Sequence, residues 1–157
     1  MKTLVAVFSA SGVTKRVGEE IARVSSGDFF EIVPAEKYTN ADLNYMNSRS
    51  RSSVEMNDPS ARPAIAGRVS DMDSYDTVII GFPIWWGEEP RIMDTFVESY
   101  DFDGITMIPF CTSSSSGIGM SGKNLEANAG SGNWLDGERF GGSVSEEELQ
   151  AWIDGLQ

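Results

Sequence analysis

The feature that most constrains this chain is a regular alternation of short apolar runs with segments of helical period. Residues 3–8 form an apolar run with Val5 and Val7 β-branched. Val13, Val17, Ile21 and Val24 then recur at spacings of four, four and three, which is one face of a helix. Residues 28–33 read as a second strand, closed by Pro34. Residues 77–82 form a third, fully apolar one. Pro90 opens a helix where its missing N–H costs nothing, and Ile92, Met93, Phe96, Val97 and Tyr100 form its buried stripe. Residues 105–110 are a fourth strand, a weaker helix lies within 120–129, and a short fifth strand lies somewhere in 133–140. Ser145 with Glu148 makes a capping box ahead of a last helix carrying Leu149, Trp152, Ile153 and Leu156. Strands this apolar, alternating with helices, imply an α/β protein with a parallel sheet covered on both faces. Ligands of such sheets sit at the carboxyl ends of the strands, which selects the loops after Phe8, Phe82 and Phe110.

Composition removes several function classes. The 157 residues suit one domain, 1–157, with no internal repeat. A net charge of −12 argues against nucleic-acid binding, because phosphates would be repelled over most of the surface. With no His and a single Cys, Cys111, a structural zinc site, a disulfide framework and His-based catalysis all fail. Cys111 ends a buried strand and is expected to be inert. If the chain is an enzyme, a bound cofactor carries the chemistry. Lys2 before an apolar run imitates the start of a signal peptide, but the run is too short and Lys15 and Arg16 follow it. No stretch approaches the roughly 20 apolar residues of a membrane span. A lone thiol is compatible with a reducing compartment, and the chain is expected to be cytoplasmic.

Residues 34–76 are long for one crossover. They hold helix-compatible sequence at 41–46, turns at Asp58-Pro59 and Arg62-Pro63, and a run from Ser48 to Ser53 that alternates Ser with Arg, read as a solvated helix end or loop.

Three loops carry the functional reading. Ser9, Ala10, Ser11, Gly12, Val13 and Thr14 join the first strand to the first helix. Free N–H groups and the positive helix end point into this loop, Gly12 permits close approach, and Ser9, Ser11 and Thr14 can donate to an anion. It is either a phosphate cradle of neutral donors or a plain N-cap made by Ser11 or Thr14. Lys15 and Arg16 in the first turn oppose the helix dipole and are expected to face solvent. After the third strand, Pro83, Ile84, Trp85, Trp86 and Gly87 place two indoles at a ligand-side strand end, where they cover either a flat ring or the end of the core. After the fourth, the segment Thr112, Ser113, Ser114, Ser115, Ser116, Gly117 offers hydroxyls and backbone donors, as a clamp for a ring edge or as a flexible connection. Residues 117–122 match G-x-G-x-x-G and nearly match a triphosphate loop. Residues 111–116 separate them from the fourth strand and Asn124 replaces the hydroxyl a magnesium site requires, although Asp136 falls near the offset of a ribose-binding acid.

A phosphate cradle, an aromatic shelf and a polar clamp on adjacent strand ends suit FMN. With these residues the sequence resembles the flavodoxin family. Ser9-x-Ser11-Gly12-x-Thr14 is similar to its T-x-T-G-x-T loop. Ser48-Arg49-Ser50, Gly81-Phe82-Pro83-Ile84-Trp85-Trp86, Asp101-Phe102 and the Ser run ending Gly117-Ile118-Gly119 look like a bacterial flavodoxin-like branch. The resemblance implies a three-layer sandwich with a five-stranded parallel sheet of order 2-1-3-4-5, and non-covalent FMN. It implies Ser9–Thr14 on the phosphate, Trp85 or Trp86 against the isoalloxazine, Thr112–Gly117 at its pyrimidine edge, and Gly87 as the carbonyl that turns toward reduced N5. The chain departs from the best-known flavodoxins in its Trp-Trp shelf and in lacking a Tyr on the fourth-strand loop. The second ring face is therefore open to substrate or covered by residues 34–76.

Nine acids and one base, Arg91, fall between Asp71 and Asp103, a net −8 that would disfavour an anionic reduced flavin and steer basic redox partners. The expected function is an electron shuttle, monomeric or weakly dimeric, without nucleic-acid or membrane partners. The alternative is an FMN-dependent NAD(P)H:acceptor reductase of quinone type. A phospho-acceptor regulator would need acids after the first strand, where Ser9 stands instead.

Overall fold

The computed structural model describes residues 2–156; Met1 and Gln157, the ends of the expected domain, lie outside the described residues. The elements run β1 (Thr3–Val7), α1 (Val13–Ser25), β2 (Asp28–Glu31), β3 (Val33–Pro34), α2 (Arg51–Met56) and β4 (Ile65–Ala66). After a 3-10 turn at Met72–Ser74 come β5 (Thr77–Pro83), α3 (Arg91–Glu98), β6 (Thr106–Thr112), α4 (Ser121–Ala129), β7 (Asn133–Trp134), β8 (Glu138–Phe140) and α5 (Glu146–Gly155). The main sheet has the order β2-β1-β5-β6-β7, and β8 also pairs with β6. Every pairing in it is parallel. Numbered by sheet position, this is 2-1-3-4-5, with the fifth place shared by β7 at one end of β6 and β8 at the other.

Two-residue periodicity sorts the strands onto two cores. Leu4, Ala6, Val78, Ile80, Phe82 and Met107 face α3 and α4, where Ile92, Phe96, Val97 and Leu125 meet them. Val5, Val7, Ile79, Ile108 and Phe110 face α1 and α5, meeting Val17, Ile21, Leu149 and Ile153. Gly81 has a packing role here: a Cβ on it would stand 2.1 Å from Phe110 Cζ, so the absent side chain makes room for that ring. Ser145 caps the last helix as the sequence predicts, its hydroxyl accepting from the Glu148 N–H at 3.2 Å.

The crossover 34–76 departs from its sequence reading. The second strand ends at Glu31, and Val33 and Pro34 turn away to pair antiparallel with Ala66 and Ile65 in a separate clip. Proline cannot donate to a central ladder, which favours this peripheral pairing. Residues 41–46 form turns rather than a helix. The Ser/Arg run makes α2 instead, with Ser50 as its N-cap. Its serines are not solvated: Ser50, Ser52 and Ser53 are buried, and the Ser53 hydroxyl donates to the Asn47 carbonyl at 2.9 Å. Two arginines fasten this segment to the sandwich. Arg51 stacks over Tyr38 at 3.9 Å and binds Glu55 at 2.9 Å. Arg91 donates to the Met56 carbonyl at 2.8 Å, placing a cation at the negative end of α2.

Among the described residues no helix is long and apolar enough to cross a membrane. None of their His, Cys, Asp or Glu form a group of three that could hold a metal ion.

Candidate functional site

The β1–α1 loop is an uncapped helix N-terminus. Gly12 occupies the cap position at φ +96°, in the left-handed region that favours glycine, and no side chain caps the helix. The first turn of α1 holds no acid. Its first N–H groups are therefore available to an anion, and Ser11, Gly12 and Val13 are exposed. The plain N-cap is not realised. The Ser9 hydroxyl instead accepts from the Gly12 N–H at 3.0 Å, which braces the loop. Ala10 is half-buried beside it and lines the adjoining cleft. Thr14 is buried and shares a 2.7 Å hydrogen bond with the Thr112 hydroxyl, joining this loop to the end of β6. Lys15 and Arg16 are engaged rather than free: Lys15 pairs with Glu31 at 3.2 Å, and Arg16 donates to the Gly142 carbonyl.

The loop after β5 is a two-residue hairpin. Trp85 and Glu88 exchange backbone hydrogen bonds of 2.9 and 3.0 Å. Trp86 at φ +51° and Gly87 at φ +77° form its tip. Both central residues in the left-handed region make it a type I′ turn. Glycine adopts that conformation freely, whereas a bulky residue such as Trp86 is strained there. The indoles divide the two roles left open by the sequence. Trp85 closes the core, edge-on to Phe8 at 5.7 Å and to Tyr38 at 5.4 Å. Trp86 is 51% exposed and is the indole free to cover a ligand. Gly87 is fixed in a way the sequence does not disclose. Its carbonyl belongs to the peptide whose N–H, on Glu88, closes the hairpin, and it faces Gly119. The peptide that can rotate without opening the hairpin is Trp86–Gly87, whose carbonyl is that of Trp86.

The loop after β6 is braced from behind. Ser113 N–H donates to the Phe140 carbonyl at 3.2 Å, and its hydroxyl donates to the Ser116 carbonyl. Arg139 Nη2 donates to the Ser114 carbonyl at 2.7 Å, while its buried Nε has no partner. Ser114 and Gly117 are exposed at the loop's tip. Cys111 is fully buried, and burial pushes its thiol up to about 11, so it is inert. The 117–122 glycines stay apart from any strand end: residues 113–120 separate β6 from α4.

A cleft of about 590 Å³ lies between the first two of these loops and the crossover, lined by Ala10, Ser11, Pro83, Ile84, Trp85 and Trp86, and by Leu43, Tyr45 and Ser52; Thr112, Ser113, Ser114 and Gly117 are not among its lining residues. That volume suits a ligand of nucleotide size. Leu43, Tyr45 and Ser52 are site residues that sequence reasoning missed. Their signal was weak: a Tyr-Met pair in a polar turn, where Tyr45 is 72% exposed. The acids between 71 and 103 are dispersed. Glu89 and Asp94 are buried, and Asp71, Asp73, Glu98 and Asp101 line a different groove beside the end of α3. Glu88 remains beside the hairpin.

The family model for flavodoxin matches residues 2–156. The crystal structure of a candidate flavoprotein from Bacteroides uniformis is 48% identical, with 98% of this chain and 97% of that one covered at a TM-score of 0.92. Another, from Bacteroides eggerthii, is 45% identical, covering 99% and 97% at 0.92. A flavoprotein from Lactobacillus acidophilus, solved in complex with FMN, is 21% identical over 97% and 98% of the two chains, at 0.73. No curated protein matches the chain.

Proposed function

Because this chain belongs to the flavodoxin family, we propose that it binds FMN and serves as a cytoplasmic carrier of low-potential electrons between redox proteins, as a monomer or weak dimer. One observation carries the reading: an uncapped, acid-free helix N-terminus adjoins a mostly apolar cleft of about 590 Å³ that ends on a half-exposed Trp86. A site for an anion adjoining an apolar cleft is what a mononucleotide with one phosphate and a flat ring requires.

FMN, when bound, supplies the one- and two-electron chemistry that no side chain here offers. The chain's own residues bind and orient it. The N–H groups of Ser11, Val13 and Thr14 would receive the phosphate, aided by the Ser11 hydroxyl, while the Gly12 N–H stays on Ser9. Trp86 would cover one face of the ring, and Tyr45 and Leu43, presented by the fastened crossover, the other. Backbone donors of Thr112–Gly117 would serve its polar edge. The Trp86 carbonyl would be the acceptor for a ring N–H. Glu88 beside the ring turn disfavours an added negative charge in the cleft, which would lower the potential, and the net charge of −12 attracts basic partners.

Tyr45 at the cleft favours the carrier over an NAD(P)H:acceptor reductase, because a nicotinamide must stack on an open flavin face to deliver hydride. Titrating the protein with FMN is expected to quench flavin fluorescence and give a yellow complex. Mixing that complex with NADH or NADPH in a stopped-flow instrument is expected to bleach it slowly. Rapid bleaching would reject the carrier, and an absence of quenching would reject FMN.

A further inference from the structure

Behind the ring hairpin lies a buried acid pair that FMN binding does not use. Glu89 and Asp94 are each 1% exposed. They line the same small cavity, and the charge of Asp94 acts on Glu89. Two buried carboxylates in each other's field disfavour joint ionisation, which favours a proton on one of them. Asn124 Nδ2 donates to Glu89 Oε1 at 3.2 Å, and Asn128 Nδ2 donates to Asp94 Oδ1 at 2.8 Å. These amides hold both side chains in place from α4. A cavity of about 260 Å³, lined by Pro59, Arg62, Glu88, Arg91 and the pair itself, gives protons a path from solvent.

The charged groups around the pair are few. Arg91 is buried on α3 and reaches both Glu89 at 4.0 Å and Glu88 at 3.5 Å. Arg62, from the crossover, also faces Asp94, but its guanidinium is held by Glu98 at 2.9 Å. Asp58 lies on the same side within the field of Arg91. Burial, reinforced by Asp94, pushes the Glu89 carboxyl up to about 8.

Resting on the FMN reading above, we propose that Glu89 and Asp94 share one proton at neutral pH, and that binding of this proton is coupled to the charge in the ring cleft through Arg91, Glu88 and the hairpin they adjoin. Loss of the proton leaves a second buried negative charge two residues behind Gly87. Arg91 is then drawn toward Glu89 and away from Glu88, the residue that closes the ring turn. An anion in the cleft, such as the reduced flavin, is disfavoured by that ionisation. By linkage, the anion strengthens the hold on the proton by the same factor. Burial limits screening by salt.

The test has two arms, with Glu89→Gln and Asp94→Asn as separate variants. The first uses apoprotein and needs no flavin: urea denaturation from pH 5 to 9. A carboxyl raised from 4.5 to about 8 is protonated when folded and ionised when unfolded across that window. Relative to Glu89→Gln, the parent's folding constant is therefore expected to fall by up to tenfold per pH unit between about pH 5 and 8, then level off. Asp94→Asn is expected to shift that fall to lower pH. An infrared band of a protonated carboxyl at pH 7, lost in Glu89→Gln, is the matching signature. Parallel stability curves would overturn the shared proton. The second arm measures the midpoint potential of FMN-loaded protein against pH. The parent is expected to bend near pH 8, and Glu89→Gln is not. Identical profiles would overturn the coupling. A protein that takes up no FMN overturns the flavin reading and the coupling with it, while the first arm still decides the shared proton.

Discussion

Trp86 separates stability from ligand binding, and replacing it with glycine tests that separation. The indole is 51% exposed. A tryptophan buries roughly 150–250 Å² when fully covered, so about 100 Å² remains for a ring to cover. At about 25 cal/mol per Å² that area is worth about 2.5 kcal/mol. Offset stacking adds about 0.5–1.5 kcal/mol. Trp86→Gly is therefore expected to weaken FMN by about 3 kcal/mol, on the order of a hundredfold in Kd. The effect on folding is different. Trp86 sits at φ +51°, where a residue with a Cβ is strained by about 1–2 kcal/mol. Glycine relieves that strain but adds about 1 kcal/mol of freedom to the unfolded chain. The two nearly cancel, leaving urea stability of the apoprotein within about 1 kcal/mol of the parent. Trp85→Ala is the contrast: it removes an indole packed on Phe8 and Tyr38 and is expected to cost about 3–5 kcal/mol of stability. Fluorescence-quench titration gives the Kd and urea denaturation the stability. A Trp86→Gly protein that binds FMN within tenfold of the parent, or that loses stability as Trp85→Ala does, would refute the division of labour between the two indoles.

Other substitutions probe the remaining parts of the site. Gly12→Ala meets no atom within 4 Å but is held at φ +96°; it is expected to cost about 1–2 kcal/mol in urea denaturation and to weaken FMN further, because the methyl group enters the anion cradle. Thr14→Val and Thr112→Val each strand one member of a buried 2.7 Å hydroxyl pair, at about 1–3 kcal/mol apiece. The double variant is expected to lose about 1 kcal/mol less than the sum, as a double-mutant cycle would measure. Gly81→Ala forces a Cβ to within 2.1 Å of Phe110 Cζ and is expected to cost about 3 kcal/mol or more. Adding Phe110→Leu is expected to restore part of that loss in thermal melts.

The sheet was legible because its strands had no competing interpretation. A run such as Thr77–Phe82 can be satisfied only when both faces are covered, and the helical spacing of Val17 and Ile21 supplies one of the covers. The fifth strand was indistinct for a physical reason: it is two short pieces, Asn133–Trp134 and Glu138–Phe140, neither long enough to show a period. The serine run misled because serine is polar in any local count. Burial of Ser50, Ser52 and Ser53 becomes tolerable only when the Asn47 carbonyl and their own hydroxyls satisfy them, and the chain shows that only after folding.

The site was legible in the same uneven way. The residues at strand ends are set by local chemistry: a glycine with hydroxyls at a helix start, and two indoles after a buried strand. Of those residues Ser11 and both indoles line the cleft, while Gly12 marks the helix start beside it. Tyr45 comes instead from the crossover, and its position depends on long-range fastening by Arg51 over Tyr38 and Arg91 on the end of α2. The acids show the opposite failure. A count from Asp71 to Asp103 treats all nine as one field around the ring, yet α3 carries Glu98 and Asp101 to the opposite end of the sheet and buries Asp94 beside Glu89. Charge near a ring cannot be summed along a chain whose helices reverse direction after each strand. The charges nearest this site are Glu88, Arg91 and the buried pair behind them, where gain or loss of a single proton changes the balance beside the ring turn.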